Sequence, residues 1–238
     1  MRVLLFLFPL TAALAQTRVA DLNANSWWVY AGDHPIKGRW GVFTETQVRR
    51  SDFASIWQQL QLRNAATYKV SDPVQVSLAY VASRSGRYGD FPAAAPIWEH
   101  SLQTEAKIKQ NPIRKVALEH RLRLEQRWIG QYVGVIHSYR FQERARYQAK
   151  VSRPVSTNRY LFGYGEAFLS FGANHAVRSL DQYRAGGGLG FKLTPNNKLE
   201  FGYMLQYILQ RNNRVEEYNH TLRVQWNSAT PLARLFHR

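Results

Sequence analysis

The chain has 238 residues and no cysteine, with 32 lysines and arginines against 16 aspartates and glutamates, a formal net charge of +16. The length suits one domain, and the missing thiols exclude a disulfide framework, thiolate metal sites and cysteine nucleophiles. A nucleic-acid-binding domain gathers its cations on one face or helix. Here arginines are interleaved with glutamates along the chain, so anionic lipid headgroups or a small acidic ligand are the expected partners and nucleic acid is not.

In chain order, residues 1–15 read as a signal peptide: Arg2, the apolar run Val3 to Leu10, and small residues at Ala13 and Ala15. The run is too short to span a bilayer as a helix. Cleavage after Ala15 would leave 16–238 as a single barrel domain, with no cysteine there to carry a lipid.

Strands are expected near 26–32, 40–50, 56–70, 74–84, 97–109, 115–128, 138–151, 159–171, 181–193, 198–210 and 215–227. The pattern is plainest in 115–128, where Val116, Leu118, Leu122, Leu124 and Trp128 alternate with Lys115, Glu119, Arg121, Arg123, Glu125 and Arg127. Successive strand side chains point to opposite faces, so one face is apolar and the other charged. Trp40, Trp98, Trp128 and Trp226 fall near strand ends on apolar faces, as an interfacial girdle requires.

Turn-forming residues at 71–73, 111–112, 153–154 and 194–197 alternate with more polar connections at 84–96, 129–137, 172–180 and 211–214. Short turns at one end and longer loops at the other predict an all-β, antiparallel up-and-down transmembrane β-barrel. Eleven segments conflict with the even strand counts of bacterial single-chain barrels. The expectation is therefore 10 strands, with 26–32 a partial element, or 12, with one strand unread. A soluble lipocalin-like barrel or sandwich, with the apolar faces inward, is the competing architecture.

Turned inward, the charged faces form a lumen lattice. Its cations include Arg49, Arg63, Lys107, Arg121, Arg123, Arg127, Arg140, Arg144, Arg146, Arg184, Lys192 and Arg223. Its anions include Glu45, Glu99, Glu105, Glu119, Glu125, Glu166, Glu200 and Glu217. A narrow barrel is filled by such side chains, so ion-paired packing is expected; the cation surplus offers an anion-attracting passage as the alternative.

Catalytic signals are weak. His100, His120 and His220 lie on apolar faces near Ser101, Ser138 and Thr221, without a recognised spacing. No hydrolase elbow, zinc motif or phosphate loop is present, so neither enzyme activity nor a cofactor is expected. The glycines of 185–190 sit inside a strand, where they allow close approach of a bulky neighbour such as Phe162 or Tyr164.

An ordered series of segments resembles an uncharacterised bacterial family of outer-membrane β-barrels, domain of unknown function 2490. They are Trp27-Trp28, GVFTETQVRR ending at Arg50, RLRLEQR at 121–127, RFQERARYQ at 140–148, the strand around Glu166, LDQYRAGGGLGF at 180–191, LEFGYMLQY at 199–207 and NHTLRVQ at 219–225. The chain departs from the family pattern at Tyr183, where an asparagine commonly precedes the arginine. The resemblance implies the fold, the bacterial outer membrane and contact with its lipid and lipopolysaccharide, but no activity. The expectation is an integral outer-membrane barrel, structural or a narrow anion-leaning pore; a lipid-modifying barrel enzyme and a secreted ligand-binding barrel are the alternatives.

Overall fold

The computed structural model describes residues 18–133, 136–172, 174 and 180–232; the expected signal peptide, 1–15, lies outside them. Alternation of polar and apolar side chains produces eleven strands: β1 (Val19–Lys37), β2 (Trp40–Ser51), β3 (Ile56–Lys69), β4 (Val74–Ser85), β5 (Ile97–Ile113), β6 (Val116–Val133), β7 (Ile136–Pro154), β8 (Arg159–Phe171), β9 (Leu180–Thr194), β10 (Asn197–Leu209) and β11 (Val215–Ser228). Consecutive strands pair antiparallel, and β11 returns to β1 to close the barrel.

That closure overturns the expected 10- or 12-stranded antiparallel barrel. The barrel has eleven strands and is mixed, because β1 and β11 run parallel from Val19↔Val215 to Gly32↔Ser228. An odd meander necessarily brings its first and last strands to the seam in the same direction. A parallel ladder still satisfies the backbone groups there, so no open edge remains. The segment read at 26–32 is neither partial nor an extra: it is the middle of a 19-residue strand. The loop read at 129–137 is also corrected, since β6 continues to Val133 and β7 begins at Ile136.

The odd count also separates the ends of the meander. The connections 38–39, 70–73, 114–115, 155–158 and 195–196 share one end with the close of β11. The connections 52–55, 86–96 and 210–214 share the other with the start of β1. These are called below the short-turn end and the long-loop end.

Apolar side chains face outward around the wall. Leu122 is 50 % exposed and Leu205 37 %, alongside outward Leu62, Leu78, Leu102 and Leu222. Aromatic residues flank this band. Trp40 packs on Tyr68 and Trp226 on Tyr30 toward the short-turn end, and Trp128 packs on Phe141 toward the other.

Inside, one wall is fitted by size. Tyr160, Phe162 and Tyr164 of β8 lie over Gly190, Gly188 and Gly186 of β9, their register partners. A Cβ at Gly190 would run into the Tyr160 ring, and one at Gly188 into the backbone of Phe201 and Gly202. Gly190 and Gly186 therefore make room for the Tyr160 and Tyr164 rings, and Gly202 of β10 for that of Phe162.

Candidate functional site

The lumen contains a cavity of about 900 Å³. Asn111, Lys115, Pro154, Pro195, Asn196 and Ala229 line it at the short-turn end, where it opens. Toward the other end it reaches Gln58 and Tyr88, and inward-facing side chains beyond that level, such as Asp21, Gln142 and Asn219, do not line it.

The β4–β5 connection accounts for that stop. Tyr88 donates its hydroxyl to Glu217 at 3.2 Å, Asp90 N–H donates to Asp21 at 3.4 Å, and Gln210 donates to the Phe91 carbonyl at 3.2 Å. Gly89, at φ 74°, packs so closely on Asp21 and Asn23 that a Cβ there would collide with both. Burial, with the Glu217 carboxylate beside it, pushes the Tyr88 phenol above its ordinary value of 10.0, so it stays a donor.

Across the middle of the lumen lies the arginine–glutamate lattice. Glu125 has no exposed side-chain surface; Arg144 binds one of its oxygens at 2.6 Å and Arg146 the other at 2.8 Å. Glu166 takes Arg146 at 2.8 Å, Arg121 at 3.0 Å and Arg184 at 3.3 Å. Glu105 receives Arg123 Nε at 2.8 Å and has Arg63 at 3.4 Å. Arg127 grips Glu99 through two parallel hydrogen bonds of 2.8 and 2.7 Å. Seven arginines thus share four glutamates, so the lattice is dense but keeps a positive surplus. Such ions stay buried only because every one of these carboxylates is held by guanidinium groups fixed in place.

The remaining residues expected in the lattice divide. Glu45 lies inside and accepts from Gln47 at 2.7 Å and Gln61 at 3.4 Å instead of from an arginine. Arg49 binds the neutral Gln47 oxygen at 2.7 Å and stacks on Trp27. Arg223, Lys107, Lys192, Glu119 and Glu200 line the cavity, whereas Arg140 stands at the long-loop rim and donates to the Asn174 carbonyl at 3.0 Å. Glu217 belongs to the loop latch.

Several participants went unselected in the sequence. Lys109, Lys150 and Lys198 line the short-turn mouth with Lys107, Lys115 and Lys192. Among these six, the ion pair found in the described residues is Lys150–Glu200 at 2.6 Å. Strand parity alone would have picked out Lys109, Lys150 and Lys198. Trp27 was read with Trp28 as one pair, although Trp27 is inward and 3 % exposed while Trp28 faces out. Tyr88 gave no sequence signal, since its partner Glu217 is 129 residues away.

The outward histidines meet tyrosines: His100 with Tyr80 at 2.6 Å, His120 with Tyr147 at 2.7 Å and His220 with Tyr203 at 2.6 Å. Ser101 and Thr221 are buried on the lumen side, across the wall from their neighbouring histidines. Tyr183, at the departure from the family pattern, faces outward against Tyr207, while Arg184 faces in.

A family model described as "Protein of unknown function (DUF2490)" matches residues 24–217. The chain belongs to that family. No curated protein matches it. Among solved structures, a NanC porin is similar at a TM-score of 0.46 and 9 % identity, over 81 % of this chain and 91 % of that one.

Proposed function

We propose that this protein is an integral outer-membrane barrel whose lumen draws anions in from the short-turn end and is sealed toward the other by the β4–β5 loop. The observation that carries this reading is the sidedness of the wall. Leucines and aromatic rings cover the outside while arginines, glutamates and glutamines fill the inside. A water-soluble barrel needs the reverse, an apolar interior under a charged exterior. In barrels of this kind the short turns face the periplasm, so the lysine-lined mouth would open there.

The mouth and the lattice divide the work. Exposed lysines raise the local concentration of anions, as clefts of one charge sign do. The ion-paired arginines narrow the lumen and the tucked loop blocks free passage, so the resting barrel is a chamber and not an open pore. The reading is non-enzymatic: the Nδ1 atoms of the three outward histidines are held by tyrosine hydroxyls.

Cell fractionation tests it. The protein should sediment with the outer membrane, need detergent for release, and migrate faster on gels before heating than after. Recovery as a soluble periplasmic protein would contradict the reading. The lipid A and phospholipid acyl profiles of a deletion strain should match the parent; a change restored by the gene would favour the lipid-modifying alternative.

A further inference from the structure

We infer that the lumen contains an oxyanion site built around Trp27 by Arg49, Arg184 and Arg223, which takes the carboxylate or phosphate group of a small solute. The inference rests on the reading of the lumen as an anion-attracting chamber and names what the chamber holds.

Register builds the site. Trp27 of β1 lies directly opposite Arg49 on β2 and Arg223 on β11, and all three side chains point inward. Trp27 is fixed by its indole N–H, which donates to Gln58 at 3.1 Å. The Arg49 guanidinium lies 3.8 Å from the indole centroid, and Arg184 reaches across from β9 to 5.1 Å. Two cations therefore lie over one ring, and a third, Arg223, shares its register position on the neighbouring strand.

Their counter-charges do not match them. Arg184 alone reaches a carboxylate, Glu166 at 3.3 Å, and that group already serves Arg121 and Arg146. Arg49 spends Nε and Nη2 on the uncharged oxygen of Gln47, at 3.2 and 2.7 Å. Arg223 has no ion pair among the described residues, although it lines the cavity. This differs from the wall of β5 to β8, where Arg121, Arg123, Arg127, Arg144 and Arg146 each meet a glutamate.

Like charges held together in a confined space repel, and a bound anion relieves that repulsion. The chemistry of the donors sets its class. Planar guanidinium forks present paired N–H groups that match the oxygens of carboxylate and phosphate. Arg223 makes no side-chain hydrogen bond to the described residues, Arg49 keeps Nη1 beside the fork that holds Gln47, and Arg184 adds positive field from the opposite wall. The cavity, about 900 Å³, falls within the range of small-molecule sites, roughly 300–1,000 Å³.

The test titrates the purified full barrel in detergent with inorganic phosphate and, separately, with acetate, at constant ionic strength in chloride, by calorimetry. Saturable uptake is expected, and saturation by one anion alone assigns its class. Arg49→Gln and Arg223→Gln should each weaken binding roughly tenfold, the loss of one charge-assisted contact. Arg223→Lys, which keeps the charge and loses the fork, should fall between. Heat-shifted gel mobility verifies that each variant is folded. No saturable uptake by the folded wild type, or wild-type affinity in the folded arginine variants, overturns the site. The chamber reading fails separately, on the ion selectivity of a barrel whose β4–β5 loop has been opened. A selective opened barrel without saturable binding removes the site alone, and an unselective one with arginine-dependent binding keeps it.

Discussion

Glu125 is the most constrained acid in the lumen. Its side chain is fully buried, Arg144 and Arg146 hold its two oxygens, and Arg123 stands 3.9 Å away. Removing its charge strands Arg144, which has no other acid within ion-pair distance among the described residues. Glu125→Gln should therefore cost about 3 kcal/mol, as broken buried pairs do. Arg144→Gln should cost less, about 2 kcal/mol, because Glu125 keeps Arg146. Denaturant midpoints of the folded barrel in detergent measure both, and equal midpoints for wild type and Glu125→Gln would contradict the lattice as the lumen's stabilising element. The inward face of these arginines was legible because strand side chains alternate with period two. Which glutamate each arginine meets was not, since that depends on the stagger between strands far apart in sequence. Glu166, for example, serves arginines from β6, β7 and β9 at once.

At the scale of elements, the packing of β9 between β8 and β10 depends on its glycines, since a Cβ at Gly186, Gly187, Gly188 or Gly190 would meet backbone or ring atoms of those strands. Gly188→Ala would press a methyl group against the Phe201 carbonyl and Gly202 Cα, backbone atoms that cannot rotate away. A cost of at least about 2 kcal/mol is expected. Gly165→Ala meets nothing within 4 Å and should leave the midpoint unchanged. Refolding yield and midpoint compare the two, and equal effects would sink the size-matching account. The sequence disclosed this glycine–aromatic fit, naming Phe162 and Tyr164, because both strands alternate cleanly. It did not disclose the start of β1, where inward Asp21, Asn23 and Asn25 alternate with outward Ala20, Leu22 and Ala24. That run is too polar and small-residued to look like a strand until β11 lies beside it.

The β4–β5 latch belongs to the same scale. The Tyr88 phenol ionises above its ordinary value in the folded loop, so its contribution is fully present below about pH 10 and is lost as pH rises through the raised value. Latch closure should therefore be independent of pH between about 6 and 9 and weaken only in stronger alkali. Proteolysis of the loop across that range reports it; a transition near neutrality would show that another group holds the latch.

At the scale of the whole molecule, parity and sidedness parted company. Eleven segments were visible in the sequence, and the even-count rule for bacterial barrels argued against taking that number as it stood. The parallel β1–β11 seam supplies the closure that the rule obtains from an even count. Sidedness was not legible in the alternation alone, which also allows the apolar faces to point inward. In the structure they point outward, and a one-residue slip would turn every leucine of a strand into the lumen. Leu122→Arg and Leu205→Arg should each cost about 2–4 kcal/mol if they lie near the bilayer midplane, measured by folding into vesicles. Unchanged folding of both variants would put these faces somewhere other than lipid.

The sealed, anion-attracting chamber is tested most directly by single-channel current in planar bilayers under a salt gradient. The comparison is between the wild-type barrel and a variant lacking residues 87–92 of the β4–β5 connection. The wild type should remain closed, and the shortened loop should open steps whose reversal potential favours anions, as the lysine mouth and the arginine surplus require. A wild-type barrel that conducts as well as the variant, or an opened one that favours cations, would contradict the account.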